Sequence, residues 1–156
     1  MIDTQARARA FWTEVFNAHD LGHVEDFVAP EMINHNARPG TPNGPDGARE
    51  LFTRLWTGFS DMRFDIDTLV GEGDKVVCVG TMNGTHDRVF QGMAPTNRRM
   101  SARHMHLLTF NHAGVIIDHL AVRDDIALLR QLGALPEPGL LGPLSNPSPS
   151  VARRQI

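Results

Sequence analysis

The sequence predicts an α+β fold in which helices come first, a meander of antiparallel strands follows, and the helices gather on one face of the sheet. Three observations carry that prediction. Apolar residues recur at helical spacing as far as Phe59; from Met62 the period changes to strict alternation; and turn formers then punctuate the chain at hairpin intervals.

In the first helix Ala8, Phe11, Trp12, Val15 and Phe16 form one apolar stripe, with Asp3 or Thr4 as its cap. NAHD breaks the pattern. Asp20 then caps a short second helix carrying Val24, Phe27 and Val28, and Pro30 marks its end or a nearby turn. EMINHNARPGTPNGP is polar and rich in turn formers. A third helix fits Pro45 to Phe59, with Ala48, Leu51, Phe52, Leu55, Trp56 and Phe59 inward and proline in the first turn.

The strands follow. MRFDIDTLV alternates Phe64 and Ile66 with charged residues; GEGD turns; KVVCVGTMNGT is apolar on both faces. HDRVFQGMAPTNRR connects to RMSARHMHLLTF, NHAG makes a hairpin, and VIIDHLAVRDD is the fourth strand. IALLRQL reads as a last short helix stopped by Gly133. If the sheet curls strongly, its concave side and the helices enclose a pocket.

A chain of 156 residues, 41% hydrophobic and 21% charged, suits one domain, here residues 1–133. Residues 134–156 hold half of the prolines and are expected to form an extended or disordered tail, whose leucines could pack across a neighbouring subunit. A net charge of −3, with no basic block beyond Arg153–Arg154, argues against nucleic-acid and anionic-membrane partners. No apolar run reaches the roughly 20 residues that span a bilayer, and MIDTQARARAFW lacks a secretory signal. A cytoplasmic protein is expected. Cys78, the single cysteine, excludes an internal disulfide and reads as a buried inert thiol. Tyrosine is absent, which removes one common acid and oxyanion donor.

The chemistry concentrates on the last two strands. Alternation puts His104, His106, Leu108 and Phe110 on one face of the third strand. On the fourth, Ile117, His119, Ala121 and Arg123 share a face, opposite Asp118, Leu120, Val122 and Asp124. Because the strands form a hairpin, His104, His106, His119 and Arg123 cluster on one wall, with His106 beside His119 as one possible register. Two readings stay open: histidines satisfied by backbone or Asp partners, or imidazoles in a pocket, able to move a proton near pH 7. A metal site would need a third ligand at short spacing, and HMHLLTFNHAG offers none, so no metal is expected. Asn34, His35 and Asn36 are either turn chemistry or a pocket rim offering hydrogen bonds to a ligand. Trp56 and Phe59 suit core or pocket wall equally. In Arg123-Asp124-Asp125, at least one aspartate is expected to cap the last helix.

FVAPEMINHNARPGTPNGPDGARELF, GTHDRVFQGMAPTNRRM and VIIDHLAVRDDIALLRQLG together resemble the SnoaL-like polyketide cyclases of the nuclear-transport-factor-2-like superfamily, over most of residues 5–133. The resemblance implies a cone-shaped α+β fold, with three N-terminal helices on a strongly curved antiparallel sheet around an apolar pocket. It also implies cofactor-independent intramolecular aldol condensation on a polyketide-like, apolar or aromatic substrate. It places the family's asparagine at Asn34 and its histidine at His106. The family's catalytic aspartate falls at Ala121, which cannot move a proton. His106, His119 and Asp124 are the candidates to replace it, with Asn34, His35, Trp56, His104 and Arg123 against the substrate. Relatives include hydroxylases and non-enzymatic ligand binders, which stay as alternatives; ketosteroid isomerase chemistry lacks its tyrosine. Pairing as a homodimer or higher homo-oligomer through the open sheet face is a further implication, consistent with KVVCVG being apolar on both faces.

Overall fold

The computed structural model describes residues 2–136; residues 137–156, and with them most of the expected tail, lie outside the described residues. Helix α1 (Thr4–Ala10) starts where Asp3 accepts the Ala6 N–H at 2.9 Å. It runs without a break into a π-helical segment, Phe11–Phe16, whose widened turn shows in the Asn17 N–H reaching back five residues to the Trp12 carbonyl at 2.8 Å. Phe11, Trp12, Val15 and Phe16 are all buried, as the stripe predicts. The Asn17 side chain then makes two hydrogen bonds, of 2.9 and 2.7 Å, to the Phe64 backbone, tying the end of the segment to the sheet.

The predicted second helix is a single 3-10 turn, Val24–Asp26, and the chain is extended from Val28 as strand β1 (Val28–Asn34). Pro30 is the reason a helix cannot continue here, and an edge strand tolerates its missing N–H. Helix α2 (Gly44–Gly58) opens at Gly44, whose φ of +71° favours glycine and where a Cβ would sit 2.3 Å from the Pro30 carbonyl oxygen. The helix start therefore lies directly on β1.

Strands β2 (Arg63–Glu72), β3 (Lys75–Thr85), β4 (Arg99–Phe110) and β5 (Ile116–Arg123) form the expected meander, and α3 (Asp125–Gln131) follows. The sheet order is β1-β5-β4-β3-β2, with β1 parallel to β5. The sheet is thus mixed, not purely antiparallel, and it is not strongly curled; the helices, laid across one face, enclose the cavity in place of strong curvature. Of the three predicted N-terminal helices only the first and third are full helices, and the third helix of the fold is C-terminal.

Alternation holds strictly along β3 and β4: Val76, Cys78, Met82, His104, His106, Leu108 and Phe110 point inward and are buried. On β5 it is interrupted. Phe110 pairs with Ile116 and Thr109 with Asp118, leaving Ile117 as an extra, bulged residue. Ile116, not Ile117, is therefore the buried core residue, while His119 and Ala121 keep the inward phase.

The β3–β4 connection folds back on itself. Phe90 and Met93 exchange backbone hydrogen bonds of 3.0 and 2.9 Å around Gln91 and Gly92, both at positive φ, the geometry of a tight hairpin turn. The Phe90 ring rests on Gly58, where a Cβ would come within 2.7 Å of it. No helix among the described residues is long and apolar enough to cross a membrane.

Candidate active site

Between the helices and the inner sheet face lies a cavity of about 390 Å³. Trp12, Phe16, Leu51, Phe52 and Leu55 form its helical wall, Met82 and Met100 belong to the sheet, and Phe90, Gln91 and Met93 of the folded-back connection border it. Against this apolar lining stand His104, His106, His119, Arg123, Asn34, Asn36 and Asp125. The two imidazoles of β4 thus face a hollow and not a filled core.

Their register differs from direct His106–His119 pairing. His106 is opposite Ala121, His104 opposite Arg123, and His119 opposite Leu108. His119 is the diagonal neighbour of His106, within reach of a long side chain. Their rings are nearly parallel, with centroids 5.2 Å apart, and His106 Nδ1 lies 2.9 Å from His119 Nε2. One of these nitrogens must carry the proton and the other accept it. Trp12 packs on the His106 ring at 4.6 Å. His106 Nε2 and His104 Nδ1 are buried with no hydrogen-bond partner.

Burial is the main force on all three histidines. It brings His104 down to about 4, helped by the charge of Arg123. It brings His119 to about 4, again with Arg123. It holds His106 well below the usual histidine range, with His119 and His104 adding to the effect. All three are neutral imidazoles at pH 7. Burial likewise raises the Cys78 thiol to about 11, which leaves it protonated and inert.

Arg123 donates to Asp125 at 3.1 Å. Asp125 is the one carboxylate on the cavity wall among the described residues. Asp124, the aspartate singled out from sequence, accepts the Ala127 N–H at 2.9 Å as the cap of α3 and lies off the cavity; the helix start uses the first of the two acids and leaves the second to the mouth. His35 is also off the cavity, its Nε2 2.7 Å from Asp118 on the outer side of the sheet edge. Trp56 does not line the cavity either: it stacks on His19 at 4.5 Å and packs on Phe16 and Phe52. Asn34 does line it, while its Oδ1 accepts the Asn36 N–H at 3.0 Å.

Asn36 has the role that sequence reasoning missed. Its Nδ2 donates to the Ala121 carbonyl at 2.9 Å, and its Oδ1 accepts the Ala121 N–H at 2.6 Å. One side-chain amide completes the ladder beyond the end of β1 and pins the strand segment that carries His119, Ala121 and Arg123. Among the described residues no group of three His, Cys, Asp or Glu side chains is placed to hold a metal ion.

An α+β fold with a histidine-rich apolar cavity between helices and sheet has the geometry of a small-molecule pocket. The family follows from comparison: the family model of SnoaL-like polyketide cyclases matches residues 6–132, and the chain belongs to that family. It is 29% identical over 120 residues to the nogalonic acid methyl ester cyclase of Streptomyces nogalater, covering 76% of this chain and 89% of the relative. Its fold is similar to that of TsrD from Streptomyces laurentii, with 28% identity, a TM-score of 0.77, and coverage of 86% of this chain and 100% of that one. It is similar also to IdmH, a polyketide cyclase candidate from Streptomyces antibioticus, with 26% identity, a TM-score of 0.75, and coverage of 85% and 99%.

Proposed function

We propose that the protein is a cofactor-independent cyclase that closes a ring in a polyketide-like substrate by intramolecular aldol condensation, with His106 and His119 as its acid/base pair. The observation that carries this reading is the hydrogen-bonded pair of neutral imidazoles on an apolar cavity of about 390 Å³. Ring closure moves a proton twice. A base takes the proton from carbon beside a carbonyl, the resulting enolate carbon attacks a second carbonyl, and the new alkoxide takes a proton back; the product is an isomer of the substrate. The pair accepts the first proton and shares it across 2.9 Å. The imidazolium formed sits beside the developing enolate, so each charge stabilises the other against a mostly apolar lining. Asn34 and Arg123 supply donors toward the oxyanion, and His104 orients the substrate. Ala121 leaves the space opposite His106 without an acid, so the histidine pair takes that role.

The test is direct. The protein is incubated with nogalonic acid methyl ester, the compound in the name of its Streptomyces nogalater relative, and with open-chain analogues; a cyclised product of unchanged mass is expected. His106→Gln should lose turnover while keeping the fold. Unchanged turnover in that variant removes the assignment.

A hydroxylase reading is favoured by one feature, Ala121 in place of an acid. It requires oxygen uptake with a product heavier by one oxygen atom, and cyclisation without oxygen uptake excludes it. For assembly, the outer sheet face carries two apolar rows, Val79–Met105–Val122 and Val77–Leu107–Leu120. Met105, Leu120 and Val122 are exposed there. We take this face as a homodimer contact; light scattering should return twice the chain mass, and Val122→Lys should return it to one.

A further inference from the structure

Beside the main cavity lies a second chamber of about 30 Å³. Trp12, Asn34, Leu51, Phe52 and His119 line both spaces, so the chamber adjoins the main cavity at the place where Asn34 and the His106–His119 pair face it. Its other walls are apolar, among them Ala48 of α2 and Ile116 of β5.

The size admits one small group. A space of this kind must offer roughly 10–15 Å³ before a single water fits, and a water needs two to four polar partners. Asn34 and His119 are the polar side chains on the wall. Asn34 Oδ1 already accepts the Asn36 N–H, and His119 Nε2 already faces His106. Asn34 Nδ2 and His119 Nδ1 remain, so a water there has at most two polar partners among otherwise apolar walls, the lower limit of what holds one. An alkyl group restores the dispersion contacts that the apolar walls lack while the chamber stands empty.

We propose that this chamber is a specificity subsite for a terminal methyl or ethyl group of the substrate, with the carbonyl that bears this group lying between Asn34 and His119. The proposal rests on reading the main cavity as the site of a carbonyl substrate, and it narrows that substrate to one ending in a short alkyl ketone. A propyl or branched terminus overfills the chamber. The bulged residue before Asp118 places Ile116 on the chamber wall, so the subsite is built by the same irregularity that turns His119 inward.

The test is a series of naphthalene probes that differ only at one carbonyl: 2-naphthaldehyde, then the methyl, ethyl and tert-butyl 2-naphthyl ketones. Binding to the full chain is read by quenching of tryptophan emission, since Trp12 lines both spaces. Affinity should rise about fourfold for each carbon from aldehyde to ethyl ketone and fall back for tert-butyl. Ala48→Leu, which fills the chamber, should abolish the rise and leave the aldehyde affinity unchanged; Ala48→Val makes the same test if the leucine variant does not fold. A flat series in the native protein, or a rise that persists in the filled variant, overturns the subsite. An alkyl preference without ring-closing activity keeps the subsite and removes the cyclase reading. Ring closure without an alkyl preference does the reverse.

Discussion

Lowering the pH from 7 to 4 should unfold this protein in a window set by its buried histidines. His104, almost fully buried, titrates at about 4 in the folded chain and near 6.5 once unfolded. Above about 6.5 neither state binds this proton, and the residue leaves stability unchanged with pH. Between about 6.5 and 4 the unfolded chain binds it and the folded chain does not, so stability falls as the pH falls. His104 alone removes about 3 kcal/mol over that interval. His119, also brought to about 4, adds a loss of the same sign, and so does His106. A loss of this size is a large part of the usual 5–15 kcal/mol of a domain. The assay is urea unfolding followed by tryptophan emission at half-unit steps of pH. Carboxylates held low, such as Asp61 beside Thr85, act mainly below pH 4 and do not confuse the window. His104→Asn should make the slope between pH 6.5 and 4.5 shallower, with His106 and His119 keeping the remainder. A stability that is level or rising on acidification through that range, in the native chain, would refute the claim that these imidazoles are held neutral by burial.

Three further outcomes are expected. Ala121→Asp sets a carboxylate opposite His106 and should raise the His106 titration by about one to three pH units, read from its ring proton signals by NMR; an unmoved titration contradicts the register. Asn36→Ala strands the Ala121 N–H and carbonyl and should cost about 2–4 kcal/mol in urea unfolding, with a loss under 0.5 kcal/mol showing that water replaces the amide at about the value expected of a surface site. Gly58→Ala drives a Cβ into the Phe90 ring and should cost about 1–3 kcal/mol; the cost should shrink when Phe90→Ala is added, and equal costs in both backgrounds would deny the contact.

Much of this arrangement was legible in the residue pattern, and the reasons differ by element. The stripe Ala8, Phe11, Trp12, Val15, Phe16 predicts a helical face whether the turn is α or π, because the two differ by one residue per turn over a short length. The strict alternation of RHMHLLTF put His104 and His106 on one face, and the hairpin brought His119 and Arg123 to them. Strand β1 was not legible: Pro30 reads as a stop, and its pairing with β5, nearly ninety positions on, leaves no local periodicity. In the sequence Trp12 is one member of an apolar helical stripe, and its place on the cavity wall is not legible because core and wall demand the same apolar surface. Asn36 looked like turn chemistry, and only the three-dimensional fit shows its amide imitating a strand. Asp124 and Asp125 are adjacent acids with the same composition around them, and the phase of α3 alone decides which one caps and which one faces the mouth.

The extra residue at Ile117 has a consequence for how such a site changes over time. The interior of β5 serves two masters, a greasy anchor at Ile116 and a reactive edge from His119 onward, and a perfectly regular strand satisfies only one of them. Were Ile117 to enter the ladder opposite Thr109, the second half of the strand would turn over, taking the imidazole to the outer face and offering Leu120 to the hollow. Chemistry on this scaffold can therefore be switched off, or exchanged for plain greasy lining, by a one-residue change of register in place of any change of side chain.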